Sequence, residues 1–179
     1  MSLQISERVR ALGRQAQQDL REQFDRIDAI AEENSIRVLE AFQDHRVAEG
    51  YFAGTTGYGY DDLGRDKLDE IYAQLFGTEA ALVRIQFVNG THAIACALYG
   101  ALKTGDVLVS AVGAPYDTLL GVIGAAGNGH GSLKDYGVEY RQVELKDNKP
   151  DLEGMAQAAA DLRVKAVLIQ RSKGYSTRA

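Results

Sequence analysis

Apolar side chains recur at three- and four-residue steps through the first part of the chain: Val9, Leu12, Ala16, Leu20, Phe24 and Ile27 form one narrow stripe in a charged background. This spacing predicts helix. Asn34 or Ser35 is expected to cap a second helix through Ile36, Leu39 and Phe42. An arm with so little core of its own is expected to pack on a neighbouring domain or subunit. Further on, Leu68, Ile71, Tyr72, Leu75 and Phe76 fall on one face of a helix that Gly77 would end. Residues 79–85 read as a strand, Ile94, Ala97, Leu98, Ala101 and Leu102 as a helix, and Val107 to Val112 as a second strand. A helix from Tyr116 to Ala125 then leads into turns at Gly124, Gly127, Gly129 and Gly131. Val138 to Leu145 is the third strand, Pro150 and Asp151 open a helix through Leu152, Met155 and Leu162, and Ala166 to Ile169 is the fourth.

Helices alternating with short apolar strands specify an α/β fold, a mainly parallel sheet flanked by helices in three layers and preceded by a helical arm. The expected division is an arm over residues 1–49 and a large domain over residues 50–179. Four strands leave one flank of such a sheet unfinished. The expectation is therefore a fragment, or a chain completed by another polypeptide.

Composition narrows the function classes. With 45% hydrophobic residues among 179, there is enough apolar matter for a core, and a net charge of -5 argues against a dedicated nucleic-acid surface. Cys96 is the sole cysteine. No apolar run approaches the roughly 18 to 20 residues of a membrane span, and no signal-peptide pattern opens the chain. The cytoplasm is the expected compartment, with no membrane partner.

The chemistry concentrates between Gln86 and Thr118. Asn89-Gly90-Thr91 turns from strand to helix, where free backbone N–H groups and the helix dipole favour an anion, and Thr91 adds a hydroxyl. After the next strand, Gly113-Ala114-Pro115-Tyr116 would carry an aromatic ring at the carboxyl edge of the sheet. A phosphate anchor and a ring-stacking surface are what a phosphorylated aromatic cofactor needs. Residues 50–60 form a loop of glycines, threonines and tyrosines that either packs on the domain beneath or reaches a ligand. Its glycine spacing is not that of a dinucleotide-binding turn. His92 reads as structural, Cys96 as a packed core thiol, Asp61-Asp62 as a helix cap, and His45, His92 and His130 lie too far apart for a zinc site, so no metal is expected.

The run GYGYDDLGRDKLDEIYAQLFGTEAALVRIQFVNGTHAIACALYGALKTGDVLVSAVGAPYDTL, followed by IQRSKGYS, resembles the pyridoxal-phosphate enzymes of the cystathionine beta-lyase or methionine gamma-lyase-like, aluminium-resistance group. These have the type I aspartate aminotransferase fold, so the resemblance implies a partial large domain of that fold. It implies that pyridoxal 5′-phosphate is the cofactor, with Gly90 and Thr91 on its phosphate and Tyr116 stacked on its ring. Tyr58 lies where related lyases carry a Tyr-x-Arg segment reaching the adjacent subunit's phosphate; the arginine is missing here. Gln170 and Arg171 resemble strand-end residues that face the cofactor or substrate carboxylate. The Schiff-base lysine and the aspartate that pairs with the pyridine nitrogen are expected beyond Ala179, and Lys173 does not match that lysine.

By this resemblance the chain is the N-terminal part of a carbon–sulfur lyase acting on a sulfur amino acid, assembled as a homodimer or homotetramer and inactive without its remainder. Two other readings stand beside it. One is a non-catalytic oligomerisation or phosphate-binding module; the other is a different α/β enzyme with a phosphorylated substrate, which would give Tyr116 no role.

Overall fold

The computed structural model describes residues 4–56, 58, 62–127 and 130–171. The chain falls into two compact units, Met1–Arg84 and Ile85–Ala179.

The first unit is helical. α1 (Glu7–Asp19) starts at Ser6, whose hydroxyl accepts from the Val9 amide, and α2 (Arg21–Asp44) follows directly after Leu20. The stripe of apolar positions is helical as its spacing requires, but the expected cap at Asn34 or Ser35 does not exist. Both residues lie inside α2 and turn back on the preceding turn, Asn34 Nδ2 donating to the Ile30 carbonyl at 2.8 Å and Ser35 Oγ to that of Ala31 at 2.7 Å. Short polar side chains that satisfy carbonyls within a helix need not interrupt it.

A short 3-10 turn (Glu49–Phe52) precedes α3 (Leu63–Phe76). Asp62 caps α3 by accepting from the Arg65 amide, while Gly77 ends it in the left-handed region at φ 63°. Ile71 is the buried residue of this helix. The stretch 79–85 forms no strand. Instead, one carboxylate oxygen of Asp69 accepts both the Val83 amide and Arg84 Nη1, each at 2.7 Å. An apolar segment becomes a strand only beside another strand, and among the described residues none pairs with this one.

The second unit holds the sheet. α4 (Gly90–Ala101) leads through a tight turn to β1 (Val107–Ser110), then come α5 (Asp117–Ile123), β2 (Glu139–Gln142), α6 (Leu152–Ala159) and β3 (Val164–Leu168). The three strands are parallel in the order β2-β1-β3, with Leu108 level with Tyr140 on one side and Ala166 on the other. β1 is therefore the central strand, and all four of its residues are buried. Its apolar run Val107-Leu108-Val109 follows from having neighbours on both edges and both faces. Leu98 of α4, Leu102 at its C-terminal cap, and Leu119 and Ile123 of α5 pack with Leu108, Leu133 and Val138 in one core. α6 packs against β3.

The strand over 138–145 is shorter than its pattern suggests. The helix opened by Asp151 stops at Ala159, leaving Leu162 outside it and exposed. Among the described residues no helix is long and apolar enough to cross a membrane.

Charge joins β2 to the segment that precedes β3. Asp161 accepts from Arg163 Nη2 at 2.7 Å and Arg141 Nη2 at 2.9 Å, and Glu139 accepts from the same two arginines. Hydrogen bonds from Arg163, then from Arg141, hold the Asp161 carboxyl well below the usual carboxylate range. A depressed acid stabilises the fold above the unfolded-state value and loses that contribution as acid reaches the folded value. On acidification below about pH 4, near the unfolded aspartate value, the melting temperature should fall more steeply for wild type than for Asp161→Asn. Parallel acid limbs for the two would show that this network does not stabilise the fold.

Candidate functional site

Three chain segments of the second unit meet at one end of the sheet. The first is the start of α4. Asn89, in extended conformation at φ -164°, accepts the His92 amide on its side chain at 2.8 Å and the Ala93 amide on its carbonyl. Two of the four first-turn amides are thereby used. Among the described residues no hydrogen bond uses the other two, those of Gly90 and Thr91. A Cβ at Gly90 would meet nothing within 4 Å, so open ground lies beside these amides.

The second segment joins β1 to α5. Ser110, fully buried at the end of β1, donates from Oγ to the Gly113 carbonyl at 2.6 Å. Gly113 sits at φ 82°, a backbone conformation that glycine adopts without steric cost, and its amide donates to the Val143 carbonyl at 2.7 Å. These bonds turn the chain sharply at the carboxyl edge, and buried Pro115 stiffens it before Tyr116. Tyr116 is the residue before the first turn of α5, not a helical residue as its pattern suggested.

The third segment follows β3. The Ala111 amide donates to the Leu168 carbonyl, and two residues later Gln170 Oε1 accepts the Tyr116 amide at 3.1 Å. At the opposite end of the tyrosine, its hydroxyl donates to Thr91 Oγ1, also at 3.1 Å. Thr118 Oγ1 lies 3.3 Å from the same Thr91 oxygen.

Gly90, Thr91 and Tyr116 thus occupy one place, reached from two helices whose first turns adjoin. Two unpaired amides, three hydroxyls and a half-buried ring are assembled there. Such neutral donors beside a helix start suit an anionic group, and the ring offers a flat surface next to it. Thr118 was not singled out by sequence. Its place two residues after Tyr116 was visible, but not that the first turns of α4 and α5 adjoin.

Arg171 is exposed beyond β3, where with Val112, Leu145, Pro150 and Ile169 it lines a cleft of about 320 Å³. Tyr58 belongs to the first unit and is 84% exposed. The rings of His92 and Phe87 meet nearly at right angles, and His92 accepts the Val88 amide on Nδ1, which holds the approach to α4. The reading of Cys96 as core is incorrect: the thiol is exposed. Ile94, Leu98 and Leu102 point inward at four-residue steps, so a residue two positions from Ile94 faces the other way. Asp62 caps α3 as expected, while Asp61 and Lys173 lie outside the described residues. His45 Nδ1 lies 3.1 Å from Glu70 Oε2 in the first unit. Among the described residues no group of three or more His, Cys, Asp or Glu side chains could hold a metal.

The model of the methionine gamma-lyase family matches residues 9–179. The chain belongs to that family. It is 49% identical over 154 residues to Bacillus subtilis "Uncharacterized protein YnbB", covering 85% of this chain and 36% of that one. Among solved structures it is similar to a Clostridium novyi protein named as a carbon-sulfur lyase involved in aluminum resistance, with 48% identity and a TM-score of 0.88 over 94% of this chain and 41% of the other. It is also similar to a Clostridium acetobutylicum protein named "putative cystathionine beta-lyase involved in aluminum resistance", with 46% identity and a TM-score of 0.91 over 97% and 42%. This member of the family therefore spans well under half the length of these relatives.

The bond between Tyr116 and Thr91 is testable without any ligand. Tyr116→Phe and Thr91→Val, singly and together, should show a coupling of about 0.5 to 1.5 kcal/mol in urea unfolding. Strict additivity would mean that the two side chains do not interact in solution.

Proposed function

We propose that this chain is the N-terminal part of a pyridoxal-phosphate-dependent carbon–sulfur lyase acting on sulfur amino acids of the cystathionine or methionine kind. Its second unit would be the beginning of a type I aspartate aminotransferase large domain. The observation that carries the reading is the 3.1 Å hydrogen bond from Tyr116 to Thr91, which holds an aromatic ring beside the free amides of a helix start. Membership of the methionine gamma-lyase family and the lyase names of two solved relatives support it.

The residues present suit the cofactor. The amides of Gly90 and Thr91, with the Thr91 hydroxyl, can take a phosphate dianion in the open ground that Gly90 leaves. Tyr116 can lie against a heteroaromatic ring next to that phosphate and fix its plane. When bound, the cofactor supplies the electron sink that allows α-proton loss and departure of the sulfur substituent.

This chain's part is to grip and orient the cofactor and, through Arg171, to hold the substrate carboxylate by a charge-assisted bond. The lysine that carries the cofactor and the aspartate at its pyridine nitrogen belong, on this reading, beyond Ala179. Tyr58 would reach the phosphate of an adjacent subunit in a homodimer or homotetramer. Val9, Leu12, Phe24 and Ile27, exposed along α1 and α2, favour such an assembly because they leave an apolar stripe to be covered. The enzyme would work in the cytoplasm.

The full-length protein given pyridoxal 5′-phosphate should develop a visible absorption band that borohydride makes permanent, and it should release thiol from a sulfur amino acid. Tyr116→Ala should weaken cofactor binding roughly two- to tenfold, the equivalent of an aromatic stack. Failure of the full-length protein to take up the cofactor would end this reading.

A further inference from the structure

We infer that Gln170 is a positioning residue, which sets the pose of the Tyr116 ring by accepting its backbone N–H; this rests on the cofactor reading above. The geometry carries the argument. Tyr116 stands immediately before the first turn of α5, so the helix's own pattern supplies no acceptor for its amide. Pro115, just before it, is buried and has no N–H to share in holding the loop. The amide is satisfied by a side chain 54 residues further along, at 3.1 Å.

That side chain is itself well placed. β3 is locked to β1 through Val109 beside Val167 and Ser110 beside Leu168, and the ladder is prolonged by the Ala111 amide on the Leu168 carbonyl. Gln170 follows two residues later, on backbone whose position the sheet determines. The central strand's end and its neighbour's end are thereby joined across the site.

The tyrosine is consequently tethered at both ends, by its hydroxyl to Thr91 and by its amide to Gln170. With the hydroxyl tether alone, the ring could pivot about the Thr91 oxygen. The second tether removes that freedom and fixes the ring's long axis before a ligand arrives, while packing against the core cluster holds its plane. A flat ligand depends on that pose, because stacking requires a particular offset and height. A bare anion does not, because the amides of Gly90 and Thr91 lie on a different element. Gln170 therefore bears on recognition of the ring and not of the phosphate.

The test uses the full-length protein and two probes, pyridoxal 5′-phosphate and inorganic phosphate, with dissociation constants from calorimetry. Gln170→Met keeps the side-chain length and removes the oxygen; Gln170→Glu keeps an acceptor. Gln170→Met should weaken pyridoxal 5′-phosphate about three- to tenfold, the cost of one lost hydrogen bond passed on to the ring contact. It should leave inorganic phosphate unchanged, and Gln170→Glu should restore the loss. Gln170→Met combined with Tyr116→Ala should bind no more weakly than Tyr116→Ala alone.

A readout independent of ligand is exchange of the Tyr116 amide with solvent deuterium, which Gln170→Met should accelerate and Gln170→Glu should not. Equal weakening of both probes, additive losses in the double variant, or unchanged exchange would each overturn the assignment. Absence of pyridoxal 5′-phosphate binding by wild type would remove the cofactor reading itself. Normal wild-type binding with an unaffected Gln170→Met variant would remove only the role of Gln170.

Discussion

A tyrosine hydroxyl resting on a threonine oxygen is a small interaction, yet the arrangement of the second unit converges on it. For Tyr116 to reach Thr91, the first turns of α4 and α5 must adjoin, and for that both helices must press their apolar sides on the same sheet. Leu98 of α4 with Leu102 at its cap, and Leu119 and Ile123 of α5, do so around Leu108. Burial of these side chains contributes about 1.5 to 3 kcal/mol each, together several times the worth of one hydroxyl bond. The packing therefore sets the place where the two helices start, and the hydrogen bonds adjust within it.

The same division separates what was legible in the sequence from what was not. Helix periodicity in the first part of the chain, the end of α3 at Gly77, the run of apolar residues in β1 and the turn at Asn89 are local signals, and each corresponds to an element of the structure. Errors came where a local signal has two outcomes. Asn34 and Ser35 are good caps and also good partners for a carbonyl four residues back, and an uninterrupted α2 favoured the second. Residues 79–85 have a strand's composition, but a strand also needs a neighbour, and the amide of Val83 bonds to Asp69 instead. The small neighbours of Cys96 suit a packed thiol, but its angular position on α4 turns it away from the core.

At the site, Gly90, Thr91 and Tyr116 could be nominated because a Gly-Thr pair opening a helix and an aromatic residue in the loop after β1 have chemical meaning. Thr118 and the bond between Gln170 and Tyr116 could not, since both depend on which helix starts adjoin and where β3 ends relative to β1. Contacts between residues distant in sequence follow from register and packing, and a short polar side chain carries no mark of either. The chain spans 36% of a curated relative and 42% of a solved one; in the proposed enzyme its residues would furnish the phosphate and ring end of the site.

The most direct measurement of the central claim is a crystal structure of the full-length protein with pyridoxal 5′-phosphate bound. The phosphate oxygens should lie on the amides of Gly90 and Thr91 and the pyridine ring against the face of Tyr116. A cofactor seated away from the start of α4, or a Tyr116 ring turned from it with the hydroxyl still on Thr91, would contradict the account.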